Sequence, residues 1–227
     1  MSGEIKAILF DLDNTLIDFF KIKEYCIRAA ATAMVNAGLD LPEKKVVDEI
    51  TDLYWKHGWE DQRVFQKYLK SKHVDSFLLY PVLSAGIVAY RKTKSSYIVP
   101  YPRVKKTLIV LKERGLKLGI VSDAPRIQAW IRLTELGLVD FFDFVVAKED
   151  TGRLKPHASP FKKALKKLGL LAEKVMFVGD NPDRDILGAK KIGMKTCLAR
   201  YGQIKQTRGK EKADFELKKF DDLLKKV

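Results

Sequence analysis

Along the chain, short apolar runs alternate with longer stretches in which apolar residues return every three or four positions. From Pro102 onward this becomes a regular beat of amphipathic helix, glycine and apolar strand. The helix "PRVKKTLIVLKER" closes at Gly115 before the strand "LKLGIVSD", and "RIQAWIRLTEL" closes at Gly137 before "DFVVA". In the same way "PFKKALKKL" and Gly169 precede "KVMFVGD", and "RDILGAKKI" and Gly193 precede "MKTCLAR". Each glycine stands where the residue after a helix adopts positive φ, which costs nothing without a Cβ. Strands alternating with helices predict an α/β fold, a doubly wound parallel sheet covered on both faces. The opening strand, "IKAILFD", belongs to that sheet by composition.

Residues 17–99 have a different texture. Helical periodicity runs through "FKIKEYCIRAAATAMVNAG", "PEKKVVDEITDLYWKHG" and "DQRVFQKYLKSK", and no strand pattern interrupts it. This predicts a helical domain inserted after the first strand, with residues 1–16 and 100–227 forming the core domain. The return falls at "SSYIVPYP", where Pro100 and Pro102 disfavour helix. Phe19, Phe20, Tyr54, Trp55, Arg63 and Arg91 are pocket candidates in the insert, although packing within amphipathic helices accounts for most of them.

Composition narrows the functional classes. A chain of 227 residues, 46% hydrophobic and 32% charged, has room for one or two globular domains. No apolar run reaches the ~20 residues that span a bilayer, and the first strand begins too early for a signal peptide. A cytoplasmic protein with no membrane partner is expected, a monomer or small homo-oligomer. Two cysteines, Cys26 and Cys197, and three scattered histidines, His57, His73 and His157, offer no metal-ligand spacing. The net charge is +14. Its lysines are interleaved with acids, as in "VLKERGLKLG" and "GKEKADFELKKFDD", and no aromatic-plus-arginine stripe accompanies them. A solvated surface is expected, and no nucleic-acid partner.

Candidate chemistry begins at "AILFDLDNT", where Asp11 and Asp13 stand two positions apart. Side chains at i and i+2 of an extended chain leave the same face. At ~5 Å and an effective dielectric of ~20, two carboxylates repel by roughly 3 kcal/mol. A cation, a proton or water must offset that cost. Two further strands end in polar residues, "GIVSD" in Ser122 and Asp123 and "VMFVGD" in Asp180. In a doubly wound sheet such strand ends meet at one rim.

Four segments in order, "DLDNT" (11–15), "VSDAP" (121–125), "RLKPHASPF" (153–161) and "VGDNPDRDILGAKKIGM" (178–194), closely resemble the four motifs of the haloacid dehalogenase (HAD) superfamily. The helical insert resembles that superfamily's C1-type cap. The resemblance implies that Asp11 is a nucleophile accepting a phosphoryl group as an aspartyl phosphate. It implies that Ser122 and neighbouring backbone N–H groups bind the phosphoryl oxygens. Asp123 joins that substrate-side set, where relatives often carry Asn. With Pro125 two residues on, it reads as a helix N-cap rather than a substrate contact. Lys155 becomes the cation against phosphate and nucleophile, with Arg153 a poorer candidate. Asp11, the Asp13 backbone carbonyl and Asp180 become a hard oxygen site for Mg²⁺. Asp185 would orient Lys155 or a bound water, and Asp183 reads as a surface or capping acid.

Asp13 discriminates within the superfamily, because its dehalogenases typically lack an acid at that position while its phosphatases and phosphomutases use one as general acid and base. The expectation is therefore a Mg²⁺-dependent phosphatase for a small phosphorylated metabolite, with specificity supplied by the cap. The alternatives are other HAD chemistry (phosphomutase, phosphonate hydrolase or dehalogenase) and a basic binding module without turnover.

Overall fold

The computed structural model describes residues 4–227. The chain divides into two compact units, Met1–Asp18 with Val99–Val227, and Phe19–Ile98.

In the first unit, six strands form one parallel sheet: β1 (Ala7–Phe10), β2 (Lys117–Val121), β3 (Phe144–Val146), β4 (Val175–Gly179), β5 (Lys195–Ala199) and β6 (Phe215–Leu217). Their order is β3-β2-β1-β4-β5-β6. Successive side chains of β1 leave opposite faces, so its four apolar residues feed two cores. Ala7 and Leu9 pack with Phe161, Ala164 and Leu168 on one face. On the other, the Phe10 ring lies 6.1 Å from Phe142 and 5.8 Å from Phe220. A strand buried on both sides has no polar face, which is why the run reads as unbroken apolar sequence.

The chain winds from β1 outward to β3, then returns to the other side of β1 as β4. The carboxyl ends of β1 and β4 therefore sit side by side where the winding reverses, the place where open α/β sheets form a crevice. The Asp11 N–H donates to the Val178 carbonyl at 2.9 Å, which carries the β1–β4 ladder one residue past β1.

The second unit contains α1 (Phe19–Asn36), α2 (Glu43–His57), α3 (Val64–Ser71) and α4 (Ser76–Tyr97). Its own core is built on Ile27, Met34, Val46, Ile50, Tyr68 and Val82. The aromatic candidates pack on one another: Phe20 stacks on Trp55 at 5.7 Å, and Trp59 lies parallel to Tyr54 at 5.4 Å. Arg63 and Arg91 are exposed. α4 extends through Ser95–Tyr97, part of the segment expected to be the return. The extended return begins only with Ile98, and Pro100 forms an antiparallel bridge with Ile17.

The remaining helices are α5 (Val104–Glu113), α6 (Arg126–Glu135), α7 (Lys148–Thr151), α8 (Ala158–Leu168) and α9 (Leu187–Lys190), the last preceded by a π turn over Pro182–Ile186. All four glycines expected after helices have positive φ. The segment around "ADFELKKFDD", read above only as interleaved charge on a solvated surface, supplies β6 and a 3₁₀ turn over Phe220–Lys225. The Asp214 carboxylate accepts from the Thr196 N–H and Oγ1–H, pinning this short edge strand to β5. Cys26 and Cys197 are free and buried. Among the described residues no helix is long and apolar enough to cross a membrane.

Candidate active site

The site gathers at the carboxyl rim of the sheet. β1 delivers Asp11, which is 5% exposed, and β4 delivers Asp180, 1% exposed. The loop before α8 brings in Lys155, whose Nζ lies 2.5 Å from Asp11 Oδ1 and 2.7 Å from Asp185 Oδ1. The same ammonium sits 5.5 Å from the centre of the Phe177 ring. Burial disfavours the ammonium, but Asp11, Asp185 and Asp123 outweigh it and hold its pKa above the ordinary lysine value. Lys155 is a fixed positive charge.

Asp185 reaches the cluster from the π turn after β4, where its Oδ2 accepts the Asn181 N–H at 3.0 Å. A Cβ on Gly179 would lie 2.5 Å from the Asp185 carboxyl group, so a bare backbone at 179 is what admits this side chain.

Carboxylate oxygens of Asp11, Asp180 and Asp185 lie within 4.8 Å of one another. Burial, opposed by Lys155 and reinforced by Asp185 and Asp13, pushes Asp11 up to about 7. Burial first, then Asp185 and Asp11, raise Asp180 well above the usual carboxylate range. Both Asp180 oxygens are buried without a hydrogen-bond partner among the described residues. Three crowded, dehydrated carboxylates against one ammonium are a donor set for a hard divalent cation. These residues fit Mg²⁺.

The Asp13 carboxylate lies outside that cluster. Its Oδ2 accepts from Arg132 Nη1 at 3.1 Å, and Arg132 is almost wholly buried. The two neighbouring acids thus turn to different cations, Asp11 to Lys155 and Asp13 to Arg132. Arg132 was not among the sequence candidates. Its helical phase was the available signal, since Ala129, Leu133 and Leu136 place position 132 on the buried face of α6.

Ser122 is buried. Its N–H donates to Val146 O at 2.9 Å, and its Oγ accepts the Ala124 N–H at 3.1 Å. The expected N-cap role of Asp123 is corrected. α6 begins after Pro125 with no side-chain cap, and the Arg126 N–H donates to Glu149 instead. Asp123 accepts the Lys155 N–H through Oδ1 at 3.0 Å and Arg184 Nη1 through Oδ2 at 3.3 Å. It ties the loop of Lys155 to the turn after β4. Asp183 accepts the Lys210 N–H at the surface, and Arg153 is exposed.

A further loop braces the first motif. The Tyr201 hydroxyl donates to the Thr15 carbonyl at 2.8 Å, and a Cβ on Gly202 would fall 1.6 Å from the Asn14 carbonyl oxygen. Asn14 itself holds a left-handed φ of 59°. The sequence carried no signal for this contact.

A doubly wound sheet with a lysine-bound aspartate and a carboxylate cluster at its switch point defines the class of site. The family model of the haloacid dehalogenase-like hydrolases matches residues 8–199, and the chain belongs to that family. It is 35% identical to a glyceraldehyde 3-phosphate phosphatase of Methanocaldococcus jannaschii, over 97% of this chain and 96% of the relative. It is 33% identical to a phosphoglycolate phosphatase of Aquifex aeolicus, again over 97% and 96%. Among solved structures, an HAD phosphatase from Thermococcus onnurineus covers 97% of each chain with a TM-score of 0.70 at 24% identity.

Proposed function

We propose that this enzyme, a phosphoric monoester hydrolase of the haloacid dehalogenase-like family, cleaves small phosphomonoesters through an aspartyl phosphate on Asp11. The observation that carries the reading is the buried Asp11 held by Lys155 beside Asp180 and Asp185. Mg²⁺, held by Asp11, Asp180 and the backbone at Asp13 with Asp185 beside it, would offset the charge of the transferring phosphoryl group.

An Asp11 carboxylate oxygen forms a bond to phosphorus as the bond from phosphorus to the leaving oxygen breaks. Asp13 gives its proton to that oxygen. In the second half, water attacks the phosphorus of the aspartyl phosphate and Asp13 takes its proton, releasing inorganic phosphate and restoring Asp11. Lys155 pairs with the nucleophile and the phosphoryl oxygens, and Ser122 with the backbone amides beside it binds those oxygens. Asp123 contributes by holding Lys155.

The named relatives support a small phosphorylated metabolite as substrate, and the helical unit is assigned to discrimination among such substrates. The test is a panel of glyceraldehyde 3-phosphate, phosphoglycolate, sugar phosphates, nucleotides and an aryl phosphate, each with and without chelator. Turnover should require the divalent cation and vanish in Asp11→Asn. Undiminished turnover in excess chelator, or in Asp11→Asn, would refute the mechanism.

A further inference from the structure

Arg132, the α6 partner of Asp13 in a buried ion pair, has no part in the chemistry so far. Arg132 is 3% exposed and stands on the helix face that otherwise carries Ala129 and Leu133. A guanidinium in such a place is dehydrated at a cost of several kcal/mol, and its attraction to a partner often does no more than repay that. An aliphatic side chain would serve the packing of α6 as well. The position is better explained by what the guanidinium holds. Its Nη1 lies 3.1 Å from Oδ2 of Asp13, whose side chain is 21% exposed.

We propose that Arg132 is a positioning residue for Asp13: it fixes one carboxylate oxygen and so aims the group whose other oxygen exchanges a proton with the leaving group and then with water. The proposal rests on the reading of Asp13 as general acid and base. An aspartate has two side-chain torsions, and a carboxylate free to rotate presents its reactive oxygen to the leaving group only part of the time. A buried guanidinium held on a helix restricts that freedom through the oxygen it fixes, whereas a lysine in the same place supplies charge without the same directional donor. The arrangement also links two motifs mechanically. α6 starts just past Ser122, so the segment that binds the phosphoryl oxygens and the helix that holds the acid are one continuous piece of chain.

The experiment is a double-mutant cycle of Arg132→Gln and Asp13→Asn in the full chain, with Arg132→Lys as the conservative variant. The rate of the first half-reaction, phosphoryl transfer to Asp11, is measured by rapid quench on glycerol phosphate, an alkyl ester whose leaving oxygen needs a proton, and on para-nitrophenyl phosphate, whose leaving group scarcely does, because the second half is common to both esters and also uses Asp13. Arg132→Gln should lower that rate on the alkyl ester by about 10- to 100-fold, part of the usual worth of acid–base catalysis. KM and the aryl first step should stay within about threefold, the signature of an interaction made only in the transition state. Arg132→Lys should lie between the two. In the Asp13→Asn background, Arg132→Gln should cause no further loss, because the residue it acts through is already disabled.

Equal losses on both esters, a loss confined to KM, or additive losses in the double variant would overturn the proposal in favour of a packing or substrate-binding role. Should Arg132→Gln fail to fold, the same split is read from Arg132→Lys alone, and its absence there counts equally against the proposal. If Asp13→Asn shows no difference between esters, the reading of Asp13 fails and takes this proposal with it. If Asp13→Asn shows the difference and neither Arg132 variant does, only the role of Arg132 falls.

Discussion

As the proposed nucleophile, Asp11 carries two demands that pull against each other. A nucleophile must be ionised, yet burial alone drives its proton affinity up, and the neighbouring acids add to that. Lys155 opposes both but leaves the carboxyl at about 7 in the metal-free protein, against an ordinary 3.8. Cation binding must therefore displace a proton at acidic pH. Mg²⁺ affinity should strengthen as pH rises toward 7, by about tenfold per pH unit for the Asp11 proton, with the raised Asp180 adding to the dependence. Titration calorimetry in two buffers of different ionisation heat would show the released proton. The stability sign follows from the same shift. A carboxyl whose folded pKa is raised contributes stability below its unfolded pKa and loses it as pH rises through about 7. Lys155, raised above the lysine range, changes nothing in that window. Mg²⁺ should consequently raise Tm more near pH 8 than near pH 6, and a pH-independent increment would contradict this account.

Elements with strong periodicity were readable, and those fixed by a single contact were not. Strands β1 to β5 and the helices before each marked glycine follow from runs of apolar residues and C′ chemistry. Within the expected helical insert only the end of α4, Ser95–Tyr97, fell in the segment read as the return, and β6 was missed because its three residues sit among charged ones with no apolar run. At the site, Asp11, Lys155, Asp180 and Asp185 are brought together as the motifs implied, since each stands at a strand end or in the loop beyond one. Helical phase marks position 132 as buried, but its partner, like the brace from Tyr201 and Gly202, depends on contacts between segments far apart in sequence, which no local pattern records. The brace gives a sharp expectation. An alanine methyl at 202 would collide with a backbone carbonyl, which cannot rotate aside as a side chain would. Gly202→Ala should cost at least the ~1–3 kcal/mol typical of overpacking, at roughly 2–4 °C of Tm per kcal/mol for a chain of this size. It should also lower kcat, because the displaced loop contains Asp13 and follows Asp11 directly. A variant with wild-type Tm and kcat would show that the loop yields freely.

At the scale of the molecule, the chemistry and the insert are separable in a way the connections make testable. Asp11, Asp13, Ser122, Asp123, Arg132, Lys155, Asp180 and Asp185 all belong to the unit formed by Met1–Asp18 and Val99–Val227. The helical unit, Phe19–Ile98, has an apolar core of its own. The two connecting strands of chain are hydrogen-bonded neighbours inside the first unit. Ile17 bridges Pro100, and the Tyr101 N–H donates to the Leu16 carbonyl at 2.8 Å. A short linker in place of the helical unit therefore closes a gap that is already closed, and the entropy of joining two such ends is small. The shortened chain should fold with its sheet intact, read by circular dichroism, and should bind Mg²⁺ with little loss by calorimetry, since every proposed ligand remains. Turnover of an aryl phosphate should survive in reduced form, while the ratio of kcat/KM between the best and worst alkyl phosphates should collapse toward one. Retention of the full ratio would assign discrimination to the sheet unit and remove the helical unit from specificity. A chain that folds and holds Mg²⁺ but turns over no ester would instead show that the helical unit supplies a group the reaction needs.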